Sequence, residues 1–250
     1  MTGDGRPLRV GVLECDHVAD RFRSIGGGDY VDMFRALFAA HVPADGAGGV
    51  ELVPFDVIGG DLPSGPEVCD GWLCTGSRHS AYDELDWIAR LCGFVHDLRD
   101  ADVPFVGICF GHQVLAQALG GRVERARTGW GAGVLGVELD GSGTLALHFM
   151  HQDQVVVVPP GGEVLGRTEH CPVAVLRVGE RMLGIQAHPE FTPAYTDALL
   201  ADRVPLIGED EVAAARADLS RPTDEAVVAR WMARVLRQGP RTARAAGSWR

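Results

Sequence analysis

The sequence predicts an α/β fold with an open, mostly parallel sheet, helices on both faces and antiparallel strand additions. Over residues 8–119, short apolar runs alternate with segments whose apolar residues recur at helical spacing. Over residues 133–187, short strand-like runs follow one another with few helical signals between them, which indicates antiparallel strands. The chain has 250 residues and is 46% hydrophobic, so it can bury the core of one large domain.

Strands are predicted wherever a short apolar or β-branched run is bounded by turn residues. In the first half of the chain these runs are 8–14, 50–58, 71–75 and 103–108. In the second half they are 133–139, 144–149, 155–158, 164–168, 173–178 and 182–187. The last run of each half leads directly into a motif with reactive side chains, so these two strands are expected to carry the site.

Helices are predicted where apolar residues recur three or four positions apart. In residues 30–41 this spacing brings Val31, Phe34 and Leu37 to one face, whereas residues 16–29 before them indicate a long polar loop. Further helices are predicted at 82–100, 111–119, 193–202, 209–219 and 224–237. We expect a single domain over residues 1–238 and a loose basic tail over 239–250.

The charge and hydropathy of the chain exclude several classes of function. The formal net charge of −11 argues against a nucleic-acid-binding surface. Every basic residue other than histidine is arginine, which rules out a Schiff-base lysine and a phosphate-loop lysine in this chain. No apolar run approaches the ~18 residues of a membrane span, and none forms the core of a signal peptide. We therefore expect a cytoplasmic protein with reduced cysteines.

Cysteine and histidine spacing predicts no metal and no cofactor. The six cysteines include no C-x-x-C pair, and no cluster of cysteine and histidine has the spacing of metal ligands. No glycine-rich phosphate loop follows a predicted strand, so a nucleotide cofactor is not expected either.

The run Gly107-Ile108-Cys109-Phe110-Gly111 predicts a nucleophile elbow, since it joins an apolar strand to a helix. Glycines on both sides permit the tight backbone. Cys109 would lie at a helix N-terminus, where the helix dipole favours thiolate over thiol. Most of the other cysteines, among them Cys69, Cys74 and Cys92 in apolar segments, are expected to be small buried hydrophobic residues.

A second motif, His188-Pro189-Glu190, follows the last predicted strand. His188 can serve as the general base that thiol chemistry requires, and Glu190 can orient its imidazole. Acyl transfer also needs donors for an oxyanion. The backbone N–H of Phe110 and that of Gly76, which ends the 71–75 strand, are the candidates.

The motif at residues 107–113 (GICFGHQ), together with His188-Pro189-Glu190, resembles the class I (triad) glutamine amidotransferases. Within them it is similar to the stand-alone group that resembles the amidotransferase domain of GMP synthase. Residues 28–34 and 118–121 also resemble that group, and the resemblance runs from about residue 8 to about residue 200. It implies a flavodoxin-like fold and a substrate that is glutamine or another γ-glutamyl small molecule.

The resemblance also implies a role for each matching residue. Cys109 would attack the side-chain amide of glutamine, while His188 would carry the proton to the departing ammonia. Gly76 and Phe110 would form the oxyanion hole. Further substrate contacts are implied for three residues that match family positions: Gln113, His151 and Asp153.

Two departures from the family pattern leave the reaction open. The usual Gly-Gly-Pro oxyanion loop is Thr75-Gly76-Ser77 here, and no synthetase motif is present. The chain therefore either releases ammonia from glutamine for a separate synthase subunit, or acts alone on a γ-glutamyl peptide or conjugate as a hydrolase or transferase. The sequence leaves two other hypotheses of function open. One is a non-catalytic binding module, and the other is a peptidase or redox protein on the same scaffold.

Overall fold

The computed structural model of this protein describes residues 6–42 and 49–238, so the predicted basic tail lies outside the described residues. The strands are β1 (Leu8–Glu14), β2 (Val50–Asp56), β3 (Gly71–Cys74), β4 (Phe105–Ile108), β5 (Arg122–Arg125), β6 (Gly131–Leu139), β7 (Gly143–His151), β8 (Asp153–Val157), β9 (Gly162–Arg167), β10 (Val175–Val178) and β11 (Met182–Ile185). The helices are α1 (Asp20–Gly26), α2 (Tyr30–His41), α3 (Asp86–Asp100), α4 (Phe110–Ala118), α5 (Pro193–Asp202), α6 (Val204–Ile207), α7 (Glu209–Ala217) and α8 (Glu225–Leu236).

The main sheet has nine strands in the order β2-β1-β3-β4-β11-β10-β9-β6-β7. The pairs β1–β2, β1–β3, β3–β4 and β4–β11 are parallel, while β10 and the strands beyond it are joined by antiparallel pairs. The predicted α/β fold with antiparallel additions is confirmed. Because the carboxyl ends of β3, β4 and β11 meet at one edge, loops that are far apart in sequence converge there.

Alternation of side chains along the parallel strands separates two core layers. Val10, Val12 and Leu73 face the layer formed with α2 and α8. Leu13 and Trp72 face the opposite layer, formed with α3 and α4. A third apolar cluster lies under α5 and α7, against the antiparallel part of the sheet. Both faces of the parallel sheet are covered, which holds its edge rigidly in place.

Several element boundaries differ from the sequence-based expectation. The predicted loop at 16–29 contains the short helix α1, which has no buried residue and so gives no apolar period. The helix predicted at 82–100 begins only at Asp86, and Tyr82 in the turn before it donates to the Asp153 carboxylate. Strand β5 was missed, and it pairs with β8 in a separate two-stranded sheet. Within the described residues, no helix has the length and apolar character needed to cross a bilayer.

Candidate active site

Cys109 lies in the turn between β4 and α4, as the elbow motif predicts. Its backbone has φ 50° and ψ −99°, a conformation that costs a non-glycine residue about 1–3 kcal/mol and clusters at functional sites. Its N–H donates to the Ile185 carbonyl at 2.8 Å, which ties the elbow to the end of β11. The turn requires glycines because it has no room for side chains. A Cβ on Gly107 would lie 2.3 Å from the Gly111 carbonyl oxygen.

Substitution of Gly107 by alanine is therefore expected to open the elbow. The crowded Cβ should lower the free energy of unfolding by about 1–3 kcal/mol and greatly reduce thiol reactivity, because the backbone must move. Gly93→Ala in α3 is the matched control. Nothing lies within 4 Å of its Cβ position, so the added methyl should stabilise the helix by about 0.5–1 kcal/mol. Urea unfolding of both variants checks the pair, and equal effects would contradict the crowding argument.

His188 and Glu190 approach Cys109 from the segment that follows β11. The His188 Nδ1 lies 2.8 Å from Glu190 Oε1, and the Glu190 side chain is fully buried. Since a carboxylate only accepts, Nδ1 carries the proton and Nε2 is left for Cys109, with which the His188 ring is hydrogen-bonded. Phe191 stacks on the imidazole with ring centroids 3.9 Å apart, which fixes the plane of the ring.

The electrostatics of this trio favour a charged imidazole. Burial on its own lowers the pKa of His188. The negative charges of Glu190 and of the Cys109 thiolate, with hydrogen bonds to both, outweigh it and raise the pKa to about 10. The second carboxylate oxygen of Glu190 is buried without a hydrogen-bond partner, so its charge is compensated mainly by His188. The arrangement suits a thiolate–imidazolium pair.

Gly76 and Phe110 border the space in front of the thiol. A Cβ on Gly76 would lie 3.0 Å from His188 Cε1 and 3.8 Å from Cys109 Cβ, so a side chain there would crowd the reacting groups. Phe110 is the first residue of α4, and its N–H has no acceptor within the helix. Both predicted oxyanion residues therefore lie beside the predicted nucleophile.

The three other predicted residues, Gln113, His151 and Asp153, are buried and share one hydrogen-bond network. The Gln113 amide nitrogen donates to the Asp153 carbonyl at 2.7 Å, and His151 Nδ1 donates to the same oxygen at 3.0 Å. Burial lowers the pKa of His151 to about 3, so it is neutral. The Asp153 carboxylate accepts from Ser80 Oγ at 2.5 Å and from the Tyr82 hydroxyl at 3.1 Å. The substrate contacts implied for these three residues stay a prediction, and Nε2 of His151 is buried without a hydrogen-bond partner.

Gln186 is a neighbour of the nucleophile that the sequence-based argument missed. Its side chain is fully buried, and its amide nitrogen lies 3.5 Å from Cys109 Sγ. The sequence signal for it was its position two residues before His188. Because Gln186 fell within the predicted strand 182–187 and belonged to no chemical motif, it was overlooked.

The loop that follows Gly76 is fastened at two points. The backbone N–H and the guanidinium of Arg78 bind the Asp16 carboxylate. Ser80 and Tyr82 bind Asp153, as described above. Contacts within the chain therefore hold this loop at Arg78, Ser80 and Tyr82.

Glu14, His17 and Asp29 bring potential metal ligands to within 4.8 Å of one another at the end of β1. The His17 ring lies between two carboxylates, with Nδ1 3.2 Å from Asp29 and Nε2 3.1 Å from Asp56. Partial burial opposes protonation, but both carboxylates outweigh it and raise the pKa of His17. The two carboxylates therefore favour the protonated form of His17, and the expected absence of a metal stays a prediction.

Comparison with known proteins places these residues in context. The model of the family described as "Glutamine amidotransferase class-I" matches residues 80–204. Gamma-glutamyl peptidase 2 of Arabidopsis thaliana is 31% identical over 173 residues, which is 64% of this chain and 70% of that protein. GMP synthase [glutamine-hydrolyzing] of Thermus thermophilus is 43% identical over 104 residues, which is 37% of this chain and 20% of that protein.

Solved structures share the fold at low sequence identity. A glutamine amidotransferase from Thermotoga maritima superposes with a TM-score of 0.68 at 19% identity, covering 92% of this chain and 96% of that one. A glutamine amido transferase from Methylobacillus flagellatus gives a TM-score of 0.65 at 20% identity, covering 96% and 99%. These similarities extend over almost the whole chain, antiparallel strands included.

Proposed function

Since this chain belongs to the class-I glutamine amidotransferase family, we propose that it hydrolyses a γ-glutamyl amide through a thioester on Cys109. One observation carries the proposal. Cys109 in the β4–α4 turn, with His188 and Glu190 in the segment after β11, forms a hydrogen-bonded series with a charged imidazole at its centre. Such a series is the arrangement that activates a thiol for attack on an acyl carbon.

The reaction can be written with the groups present. The Cys109 thiolate attacks the amide carbon, and the negative charge that develops on oxygen is met by the N–H groups of Gly76 and Phe110. As the C–N bond breaks, the His188 imidazolium gives its proton to the departing nitrogen, leaving a thioester and a free amine. Neutral His188 then takes a proton from water, whose oxygen attacks the thioester. The γ-carboxylate leaves and Cys109 is restored.

For the substrate, we propose a γ-glutamyl peptide or conjugate instead of free glutamine. The support is twofold. The relatives matched over about 70% of their length carry the name gamma-glutamyl peptidase, whereas GMP synthases are matched over less than a third. In addition, the loop after Gly76 is held by Asp16 and Asp153 within this chain, so it needs no partner subunit to order it. An enzyme that acts alone requires such a loop.

Free glutamine, with ammonia passed to a separate synthase subunit, is the second candidate. It is favoured by the local similarity to GMP synthase, which reaches 43% identity over 104 residues. In that case binding of the synthase would raise glutamine turnover, because it would shift the oxyanion loop towards its competent state.

The two candidates differ in the kinetics expected of the isolated chain. A conjugate hydrolase should show a kcat/KM for a γ-glutamyl dipeptide at least a hundredfold above that for glutamine. The measurement is release of the amine from each substrate, with Cys109→Ala as the blank. Equal or better use of glutamine would discard the conjugate proposal. Slow turnover of both substrates, with a normal reaction of Cys109 with a glutamine-mimicking alkylator, would point to a missing synthase.

A further inference from the structure

The side-chain amide of Gln186 is held against the Cys109 sulfur. Its Nε2 lies 3.5 Å from Sγ, within hydrogen-bond distance for sulfur. The backbone fixes both partners, because the Gln186 N–H donates to the Ala174 carbonyl at 2.9 Å and the Cys109 N–H donates to the Ile185 carbonyl at 2.8 Å. The amide is fully buried, so no water competes for this contact.

A chain of hydrogen bonds decides which end of this amide faces the sulfur. The Asp153 backbone carbonyl can only accept, so the Gln113 group that lies 2.7 Å from it must be the amide nitrogen. The same nitrogen lies 3.2 Å from the Gln186 side chain, which must therefore present its oxygen. The Gln186 nitrogen is left to face Cys109. The nitrogen and oxygen of a side-chain amide have nearly the same shape, so the orientation of the Gln186 amide is assigned from the Asp153 backbone carbonyl, which can only accept.

We propose that Gln186 donates a hydrogen bond to the nucleophilic sulfur of Cys109, and that Gln113 is a positioning residue that holds the Gln186 amide in the donating orientation. This inference rests on the proposed role of Cys109 as the nucleophile. It gives Gln113 a role within the protein, where the family resemblance implies a substrate contact. A neutral donor at sulfur stabilises the thiolate, which accepts more strongly than the thiol.

The other titratable groups around the sulfur leave this effect measurable. His188 and, behind it, Glu190 approach from the segment after β11. Cys171 lies nearby in the turn after β9, where burial raises the pKa of its thiol to about 12 and keeps it neutral. The first turn of α4 has no acidic side chain. Removal of the uncharged Gln186 amide therefore changes the donor at Cys109 without changing any charge.

The experiment is the pH dependence of Cys109 alkylation by iodoacetamide in the full chain, followed peptide by peptide with mass spectrometry. In Gln186→Met the midpoint of the profile should move about one pH unit upward, which is a tenfold loss of thiolate at a given pH below it. Gln113→Met should move the midpoint in the same direction by less, since the amide can then turn. The double variant should move it no further than Gln186→Met alone.

Two further variants keep the result interpretable. Gln117→Met removes another glutamine contact of α4, an oxygen that accepts from the Val123 N–H, and should leave the midpoint unchanged. Gln186→Glu keeps the side-chain volume, places negative charge at the sulfur, and should move the midpoint further upward than methionine does. Melting curves identify variants that fail to fold.

An unchanged midpoint in a folded Gln186→Met variant would overturn the proposal. So would additive shifts for Gln113 and Gln186, because they would show that the two amides act independently. The readout needs no substrate. Failure of the proposed function would appear separately, as hydrolysis that survives Cys109→Ala.

Discussion

Replacement of Cys109 by alanine should abolish thioester formation and reduce hydrolysis of any γ-glutamyl amide by ~10⁶-fold, since loss of a nucleophile typically costs that much. The alanine Cβ occupies the position of the cysteine Cβ, so the fold should persist. The measurement is turnover of a γ-glutamyl dipeptide, beside mass spectrometry of protein treated with a glutamine-mimicking alkylator. Activity above about a thousandth of the wild-type value would contradict the covalent mechanism.

The matched control is Cys92→Ala. Cys92 lies in α3, where burial raises the pKa of its thiol to about 11. Its replacement should change the stability of the fold without changing the rate of hydrolysis. A second comparison uses the backbone of the elbow. Because residue 109 has φ 50°, Cys109→Gly should be more stable than Cys109→Ala by about 1–3 kcal/mol, while both are inactive. Equal unfolding free energies for these two variants would mean that the elbow stores no strain.

The parts of the site that could be predicted are those whose chemistry is local in sequence. The elbow needs glycines next to its nucleophile, and the base needs its carboxylate two residues away, so each is visible in a short window. The same holds for the parallel strands, whose apolar runs are bounded by turn residues. These local patterns are sufficient to predict that Cys109, His188 and Gly76 meet at one edge of the sheet.

The parts that were missed depend on contacts between distant segments. In the sequence Gln186 is an ordinary residue of the predicted strand 182–187. In the structure it follows β11, whose pairing with β4 brings its amide to the Cys109 sulfur. The contacts of the Asp153 carboxylate are equally invisible in the sequence, because its two hydroxyl donors come from the distant loop after Gly76. Helix α1 was missed because it is short and has no buried residue, so its sequence shows no apolar residues at helical spacing. Only tertiary packing decides these features.

Replacement of His188 by alanine should reduce hydrolysis nearly as much as loss of Cys109, because catalytic groups that act as a unit each lose most of their effect when one is removed. The thiol would lose the base that takes its proton and the acid that serves the departing nitrogen. Glu190→Gln should be milder, with a loss of up to ~10⁴-fold, since an amide oxygen can still accept from His188 Nδ1 but carries no charge. The measurement is kcat/KM for the preferred substrate across pH.

A purely structural role for His188 is separable from this one by the pH dependence of stability. The folded protein raises the pKa of His188 from 6.5 to about 10, so its proton is bound more tightly in the folded state than in the unfolded state. The stabilisation that results is fully present below about pH 6.5 and declines as the pH rises towards about 10. The unfolding free energy of the wild type, minus that of His188→Ala, should follow this decline. In Glu190→Gln, where the neighbouring negative charge is gone, the decline should begin and end at lower pH. A difference that stays constant from pH 6 to pH 10 would mean that folding does not raise the pKa of His188, so the imidazole would be uncharged above about pH 7. The thiolate–imidazolium pair on which the proposed reaction depends would then be absent.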